Sequence, residues 1–274
     1  SGTFGTNGFH LLDFANESTI GHDSSGNNND FTANNFSTSA GVGNDVLFDV
    51  PTNGTQSDTG AGGEVGGNYC TWNPLDTFGP TFANGNLDAS YNTTSWKGYR
   101  ATTAVTSGKW YWEVTINTLS GSNYTNIGVS KPIGDGGVAI NNDFENTAET
   151  AGYNSTGAKV SSTYGNDSGY GASFTAGDVI GVALDVDAGT LIFYKNNSSQ
   201  GTAYSNLTAN ATWTPAMSMY GNVAVSANFG QRAFAYTAPS GYKALCTTNL
   251  PTPTIADGSV YFDAKLWTGN ATDN

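Results

Sequence analysis

The stretch Ala176 to Ala203, AGDVIGVALDVDAGTLIFYKNNSSQGTA, sets the tightest limit on how this chain folds. Val179, Gly181, Ala183 and Asp185 alternate with Ile180, Val182, Leu184 and Val186, a run apolar on both faces and rich in β-branched residues. Such a run has no face to offer water, which places it as a strand inside a sandwich rather than at an edge. Asp187, Ala188 and Gly189 then supply turn chemistry, since glycine takes φ > 0 without steric cost, and Thr190 to Tyr194 resumes an extended apolar pattern. A β-hairpin is expected, followed by a polar turn over Lys195 to Gly201 and a further strand beginning at Thr202 to Tyr204.

Composition narrows the class in the same direction. Thirty-six glycines and only 11% charged residues describe a turn-rich all-β chain. An aromatic content of 12% supplies rings whose burial offsets chain entropy, which argues against disorder. A length of 274 residues is met by one large core with extensions. Nine basic against 22 acidic residues leave a net charge of −13, which repels phosphate backbones and anionic lipid, so nucleic acid is not an expected partner. No apolar run reaches the roughly 18 residues of a membrane span, and the first residues lack the pattern of a signal peptide. Ser1-Gly2-Thr3 opens in mid-pattern and Val260 to Trp267 reads as a strand near the C-terminus, so the chain is expected to be a segment of a longer protein.

Along the chain, Phe9 to Phe14 carries a short strand pattern, and Asp23 to Asp30 follows as a polar turn. Its oxygens suit Ca²⁺, with Asp23, Asn27, Asn29 and Asp30 as candidate ligands, although the spacing is not that of an EF-hand. The competing reading is an Asx-rich turn whose side chains bond their own backbone. No other cofactor is implied. Thr55 to Gly67 is glycine-rich and reads as an exposed loop. Lys109 to Ile116 is a clear strand, with Trp110, Trp112 and Val114 on an inward face and Tyr111, Glu113 and Thr115 on the other. Lys131 to Gly171 is about forty residues of weak periodicity, too long for an ordinary connection. Within it, Pro132 to Thr150 matches no strand; a long insert on a rigid scaffold is where binding surfaces sit, the alternative being a tolerated flexible insert. Trp213 to Tyr220, Val223 to Phe229 and Lys243 to Thr247 supply the last strands, and Pro251 and Pro253 mark the exit into a linker.

Several of these segments fall into one known order. Gly177-Asp178-Val179-Ile180-Gly181, the Asp185-x-Asp187-x-Gly189-Thr190-Leu191 turn, then Phe193, Lys195, Asn196 and Gln200-Gly201-Thr202-Ala203, resemble the SPRY domain. Ser107 to Val114 and Asn126 to Ser130 upstream, with Thr214 to Ala216 and Asn228 to Gln231 downstream, extend the resemblance. It implies an antiparallel two-sheet concanavalin-like sandwich over residues 67–247, with an N-terminal extension over 1–66 and a tail over 248–274. First and last strands are often neighbours in such sandwiches, which makes a Cys70–Cys246 disulfide reasonable; two buried thiols acting as small hydrophobes is the other reading. The N-terminal run through residues 43–46 and 49–53 resembles virion proteins of tailed phages that carry SPRY-like modules. That second resemblance implies an extracellular or virion location, assembly as a homo-oligomer beside other virion proteins, and a host-surface glycan or protein as partner.

Chemistry finds little support. The histidines, His10 and His22, lie outside the matched sandwich and in no catalytic motif, and two Cys with two His lack zinc spacing. Glycoside hydrolysis needs a carboxylate pair, but Glu113 stands alone on its strand, and Asp185 and Asp187 fall at a hairpin where backbone capping is the simpler use. The expected function is a non-catalytic binding or structural module of a virus particle, a tail or fibre component for host attachment. Its rivals are a glycan-cleaving enzyme on the same fold and a surface protein with no ligand. Ligand contacts are expected on loops and not on a sheet face, through Tyr124, Phe144, Tyr153, Tyr164 and Tyr170, because sugars stack their C–H faces on aromatic rings. Tyr153 and Tyr170 match strand positions, where packing is the stronger reading; Tyr124 and Phe144 lead the set.

Overall fold

Twelve strands and two three-residue 3-10 turns make up the described part of this computed structural model, which covers residues 4–12, 19–37, 57–251 and 255. The strands are β1 (Trp72–Thr77), β2 (Thr81–Ala83), β3 (Asp88–Ala101), β4 (Lys109–Thr118), β5 (Tyr124–Ser130) and β6 (Thr150–Asn154). They continue as β7 (Lys159–Val160), β8 (Val179–Asp185), β9 (Thr190–Lys195), β10 (Ser198–Tyr204), β11 (Thr214–Asn228) and β12 (Lys243–Ala244). The phage-like pattern at 43–53 and the strand expected at 260–267 lie outside the described residues.

Two long strands, β3 and β11, are shared by both sheets. Along one edge of β11, Thr214 to Tyr220 pairs with β5 and Ala224 to Asn228 pairs with β4, while β3 runs antiparallel along the other edge. The register breaks between Met219 and Gly221, where three β3 residues, Thr94 to Trp96, stand opposite Tyr220. Bulges of this kind bend a strand sharply, and the bend turns one continuous ladder into two stacked layers. One layer runs β10-β9-β8-β4-β11-β3-β2 and the other β7-β6-β5-β11-β3-β1. All pairings are antiparallel except the two-residue contact of β12 with β4.

Between the layers, Trp112, Val114, Ile116, Val182 and Leu184 of the first meet Ile127, Val129, Tyr153 and Met217 of the second in the main core. The expected hairpin is present, and β8 lies between β9 and β4 with both faces buried. Ile180, Val182 and Leu184 face the main core, while Ala183 packs with Tyr111 of β4 beneath Phe234, Ala238 and Ala244. The second face of β4 is therefore covered by chain. The turn expected over Lys195 to Gly201 is shorter than its polar sequence suggests. Asn196 and Asn197 both take positive φ, at 47° and 68°, so a two-residue turn closes the β9–β10 pair and the strand resumes at Ser198.

The glycine-rich stretch before β1 is not an exposed loop. Gly60, Gly62, Gly63, Gly66 and Gly67 are buried against residues 229–248. A Cβ on Gly62 would stand 2.5 Å from the Arg232 carbonyl oxygen, so only glycine permits this approach. The ends of the sandwich do meet, as Tyr69 bridges Cys246 and the Cys70 N–H donates to Leu245. Successive strand residues point to opposite faces, so Cys70 joins Leu245 in the main core while Cys246 shares the other face with Tyr69. Both thiols are buried and free. Thiol titration is expected to find two reactive groups per chain in denaturant without reductant; a count of zero there marks a disulfide.

Glu113 fastens the cover over the first layer. Buried at 2% exposure, it accepts the Ala235 N–H at 2.7 Å, the Tyr236 N–H at 2.9 Å and the Tyr111 hydroxyl at 3.1 Å. Burial pushes its carboxyl above the usual range, and these hydrogen bonds offset that only in part. Its contribution to stability is thus complete below the unfolded Glu pKa of about 4.3 and is lost as pH rises through the raised folded value. Denaturation midpoints of wild type minus Glu113→Gln should fall along that step. At about pH 4 the variant should be less stable by about 1–3 kcal/mol, since its amide NH₂ faces a backbone N–H. A flat difference curve would remove Glu113 from this role.

Candidate functional site

The outer face of the second layer carries Gly98 and Arg100 of β3, Tyr124, Asn126, Gly128 and Ser130 of β5, Thr150, Gly152 and Asn154 of β6, and Ala216, Ser218 and Tyr220 of β11. Its centre is glycine, which leaves room for the insert over 131–149 to lie flat against the sheet. A Cβ on Gly98 would meet Ile140 Cγ2 at 2.5 Å, and one on Gly152 would meet Phe144 Cδ2 at 2.6 Å. Ile140 and Phe144 fill those hollows with Val160 and Ala216. Arg100, 1% exposed, pins the same insert: its Nε donates to the Lys131 carbonyl at 2.9 Å, its Nη2 to the Val138 carbonyl, and its Nη1 pairs with Asp76 at 3.3 Å. A guanidinium suits this work because its five donors lie in a fixed fork.

The insert stops short of the bend, and an aromatic cluster stands uncovered there. Trp96, in the β3 bulge, lies 5.7 Å from Tyr220 and 6.4 Å from Tyr124, and the two tyrosines are cross-strand partners 6.1 Å apart. All three rings are partly exposed. Trp96 and Tyr124 form one wall of an open groove of about 290 Å³, with the buried Asn126, Asn154 and Val160 at its floor and Asp143, Glu145, Thr156 and Ala158 around the rim. The floor is a hydrogen-bonded row: Asn154 Nδ2 donates to Asn126 Oδ1 at 2.6 Å, and Asn126 Nδ2 to Ser218 Oγ at 2.9 Å. Asp143 Oδ1 caps the short turn by accepting the Asn146 N–H at 3.0 Å. No basic side chain lines the groove. Its volume, near the lower end for small-molecule sites, suits one sugar ring or one or two amino-acid side chains.

Of the expected ligand residues, Tyr124 alone lines this groove. Phe144 has no exposed surface and is a core side chain, plugged into the Gly152 hollow, so its ring has no face for a ligand. Tyr153 is equally buried, packed on Phe174 and Phe193, with its hydroxyl donating to the Ala172 carbonyl. Tyr170 packs edge-on against Tyr153 and donates to the Gly201 carbonyl at 2.7 Å. Tyr164 belongs to a separate cluster: it packs edge-on against Trp213 and donates to Glu149 at 2.6 Å, and burial first, then Glu149, pushes its hydroxyl up to about 12. The long insert does not itself carry the aromatic surface; its 3-10 turn brings Asp143 and Glu145 to a surface that the sheet provides. Trp96 and Tyr220 are the residues that sequence reasoning missed. The only signal for them is an aromatic at each side of a strand break, Ser95-Trp96-Lys97 and Met219-Tyr220-Gly221.

The proposed Ca²⁺ ligands are engaged otherwise. Asp23 is buried and accepts from the backbone N–H groups of His10, Ser25 and Asn29 and from the Ser25 hydroxyl. Burial opposes ionisation there, but these donors outweigh it and hold the carboxyl well below the usual range. Asn27 and Asn29 turn their amide nitrogens, not their oxygens, to the carbonyls of Gly5, Thr6 and Gly8. Asp30 accepts the Asp23 N–H and pairs with His22 at 3.1 Å. These are the contacts of an Asx turn. Among the described residues no group of three His, Cys, Asp or Glu side chains is disposed to hold a metal ion. At the β8–β9 hairpin, Asp185 accepts the Ala188 N–H and pairs with Lys109, and Asp187 accepts the Gly108 N–H.

Residues 109–232 match the family model of the SPRY domain. Ran-binding protein 9 of Danio rerio is 33% identical over 129 residues, which cover 47% of this chain and 21% of that protein. The ATP-dependent RNA helicase Ddx1 of Drosophila melanogaster is 30% identical over 204 residues, covering 70% of this chain and 26% of that protein. The chain therefore spans between about a fifth and a quarter of the length of these relatives. Among solved structures, the SPRY domain of human HERC1 aligns with a TM-score of 0.49 at 23% identity, covering 57% of this chain and 96% of that one.

The two leading aromatic candidates separate by stability. Phe144→Ala should cost about 3–5 kcal/mol, because it empties a packed hollow, whereas Tyr124→Ala at the open groove should stay within about 0.5 kcal/mol. Chemical denaturation checks both; equal losses would mean that Tyr124 is a packing residue too.

Proposed function

We propose that this chain is a non-catalytic recognition module, a protein-interaction domain whose contact surface is the groove beside Trp96 and Tyr124 together with the adjoining Tyr220 ring. The observation that carries this reading is the aromatic cluster left uncovered beside a tightly docked insert. Elsewhere on this layer Ile140 and Phe144 fill the available hollows, while these three rings remain partly open. Rigid, half-exposed Trp and Tyr side chains are the characteristic anchors of interfaces, since they bring large area at low entropy cost. The SPRY match supports a binding module, and the engagement of Glu113, Asp185 and Asp187 in backbone contacts supports a non-catalytic one.

A second reading keeps the module but changes its setting: a virion or tail-fibre component, extracellular and oligomeric, that attaches to a host glycan. It draws on the phage-like N-terminal pattern and on the capacity of Trp96 and Tyr124 to stack a sugar ring in a groove of about 290 Å³. The relatives compared above are not phage proteins.

Selection of random linear peptides on the immobilised chain, run beside bacterial envelope polysaccharide, tests both. Enriched peptides should bind wild type and lose about tenfold or more in affinity, about 1.4 kcal/mol, in Trp96→Ala or Tyr124→Ala, with melting unchanged. Peptides indifferent to both substitutions would remove the groove from recognition. Binding of polysaccharide alone, dependent on Trp96, would favour the attachment reading, and its cleavage would make the chain an enzyme.

A further inference from the structure

We infer that the groove takes a cationic side chain, arginine or lysine, presented on an exposed segment of a partner protein. The inference rests on the groove being the recognition surface and adds the chemistry of what enters it.

Three observations converge. First, the aromatic cluster has no cation of its own. The cation–ring pairs among the described residues are Lys109 with Tyr242, Lys131 with Trp213 and Lys159 with Tyr204. Lys97 follows Trp96 in the chain, yet its Nζ donates to Asn141 Oδ1 at 3.0 Å. Second, the rim is acidic and unneutralised. The ion pairs among the described residues use Asp30, Asp76, Asp185, Glu149 and Asp178, and leave Asp143 and Glu145 unpaired. Glu145 is exposed at the groove mouth. Third, the amide oxygens of the floor are already taken: Asn126 Oδ1 by Asn154, and Asn154 Oδ1 by the N–H and hydroxyl of Thr156 at 2.9 and 2.8 Å.

What the groove offers a newcomer is therefore the exposed Glu145 carboxylate, the Asp143 oxygen that the Asn146 contacts at Oδ1 leave over, and the negative faces of aromatic rings. A guanidinium or ammonium brings only donors and a positive charge, so it meets each of these. An anion finds no basic lining residue, and a chain at −13 repels it at long range. A volume of about 290 Å³ admits a side chain of this size and not a folded segment.

The test uses the full chain labelled with ¹⁵N, following the Trp96 indole N–H, which Trp96→Phe identifies. The probes are three capped peptides of Gly and Ser that differ only in a central Arg, Gln or Glu. The Arg peptide should shift the Trp96 signal and the other two should leave it in place. Its affinity should fall severalfold between about 50 mM and about 500 mM salt, as screening weakens the carboxylate contacts. Glu145→Gln should weaken it about threefold, and Asp143→Asn with Glu145→Gln about tenfold, with the remaining spectrum unchanged because asparagine also caps a turn. Equal shifts from the Gln or Glu peptide would overturn the cationic inference while leaving the groove a binding surface. Arg binding that survives the double substitution, or no shift with any probe, would also overturn it. Groove-independent peptides in the selection described above would remove the recognition surface itself.

Discussion

The bend in the β3–β11 ladder is the constraint on which the rest of the structure depends. A single antiparallel pair runs from Asp88 opposite Ser226 to Arg100 opposite Ala216 and passes through both layers. Because the ladder turns at the bulge opposite Tyr220, β4 and β5 can occupy the same edge of β11 end to end and still face one another across the core. The hydrophobic faces of two amphipathic sheets then bury each other without a separate connection. Trp96, Tyr124 and Tyr220 stand partly exposed at this bend, beside the insert that covers the layer's centre.

Both layers are covered on the outside as well, and each cover is fastened by one buried charged group. Glu113 collects backbone N–H groups from the 235–236 segment over the first layer. Arg100 collects backbone carbonyls from the 131–138 segment over the second. The two use complementary halves of the peptide group, which irregular segments cannot satisfy through a sheet ladder. A buried charge is costly unless it is hydrogen-bonded; the loop backbone supplies partners to both groups, and for Glu113 these offset the cost of burial only in part. Small residues complete the arrangement: Gly98 and Gly152 admit Ile140 and Phe144, and Gly62 admits the Arg232 carbonyl.

With these groups committed to holding the covers, one groove on the second layer combines aromatic and polar side chains still open to a ligand. Its walls are aromatic, its amide floor is internally bonded and its rim carries unpaired carboxylates.

The sequence by itself determined the fold class and the central hairpin. The two-sided apolar run from Val179 to Val186 admits only a strand enclosed on both faces, and the Asp-x-Asp-x-Gly turn after it fixes an antiparallel partner. Strand alternation also placed Trp110, Trp112 and Val114 together on the core side, because a period of two is a local property of the chain. Only the tertiary structure decided what covers the second face of β4, whether the glycines before β1 are exposed or buried, and which aromatic residues remain open. Phe144 and Tyr124 look alike in sequence, as aromatics in or beside segments without strand periodicity. They part because Gly152 leaves a hollow that takes the Phe144 ring, while Tyr124 stays partly exposed beside Trp96 and Tyr220. Tyr220 and Tyr124 meet as direct partners across β11 and β5, and Trp96 joins them through a register break between β3 and β11, strands more than a hundred residues apart in the chain. Neither strand's own pattern encodes that break, since it arises from how two ladders must twist to share one edge.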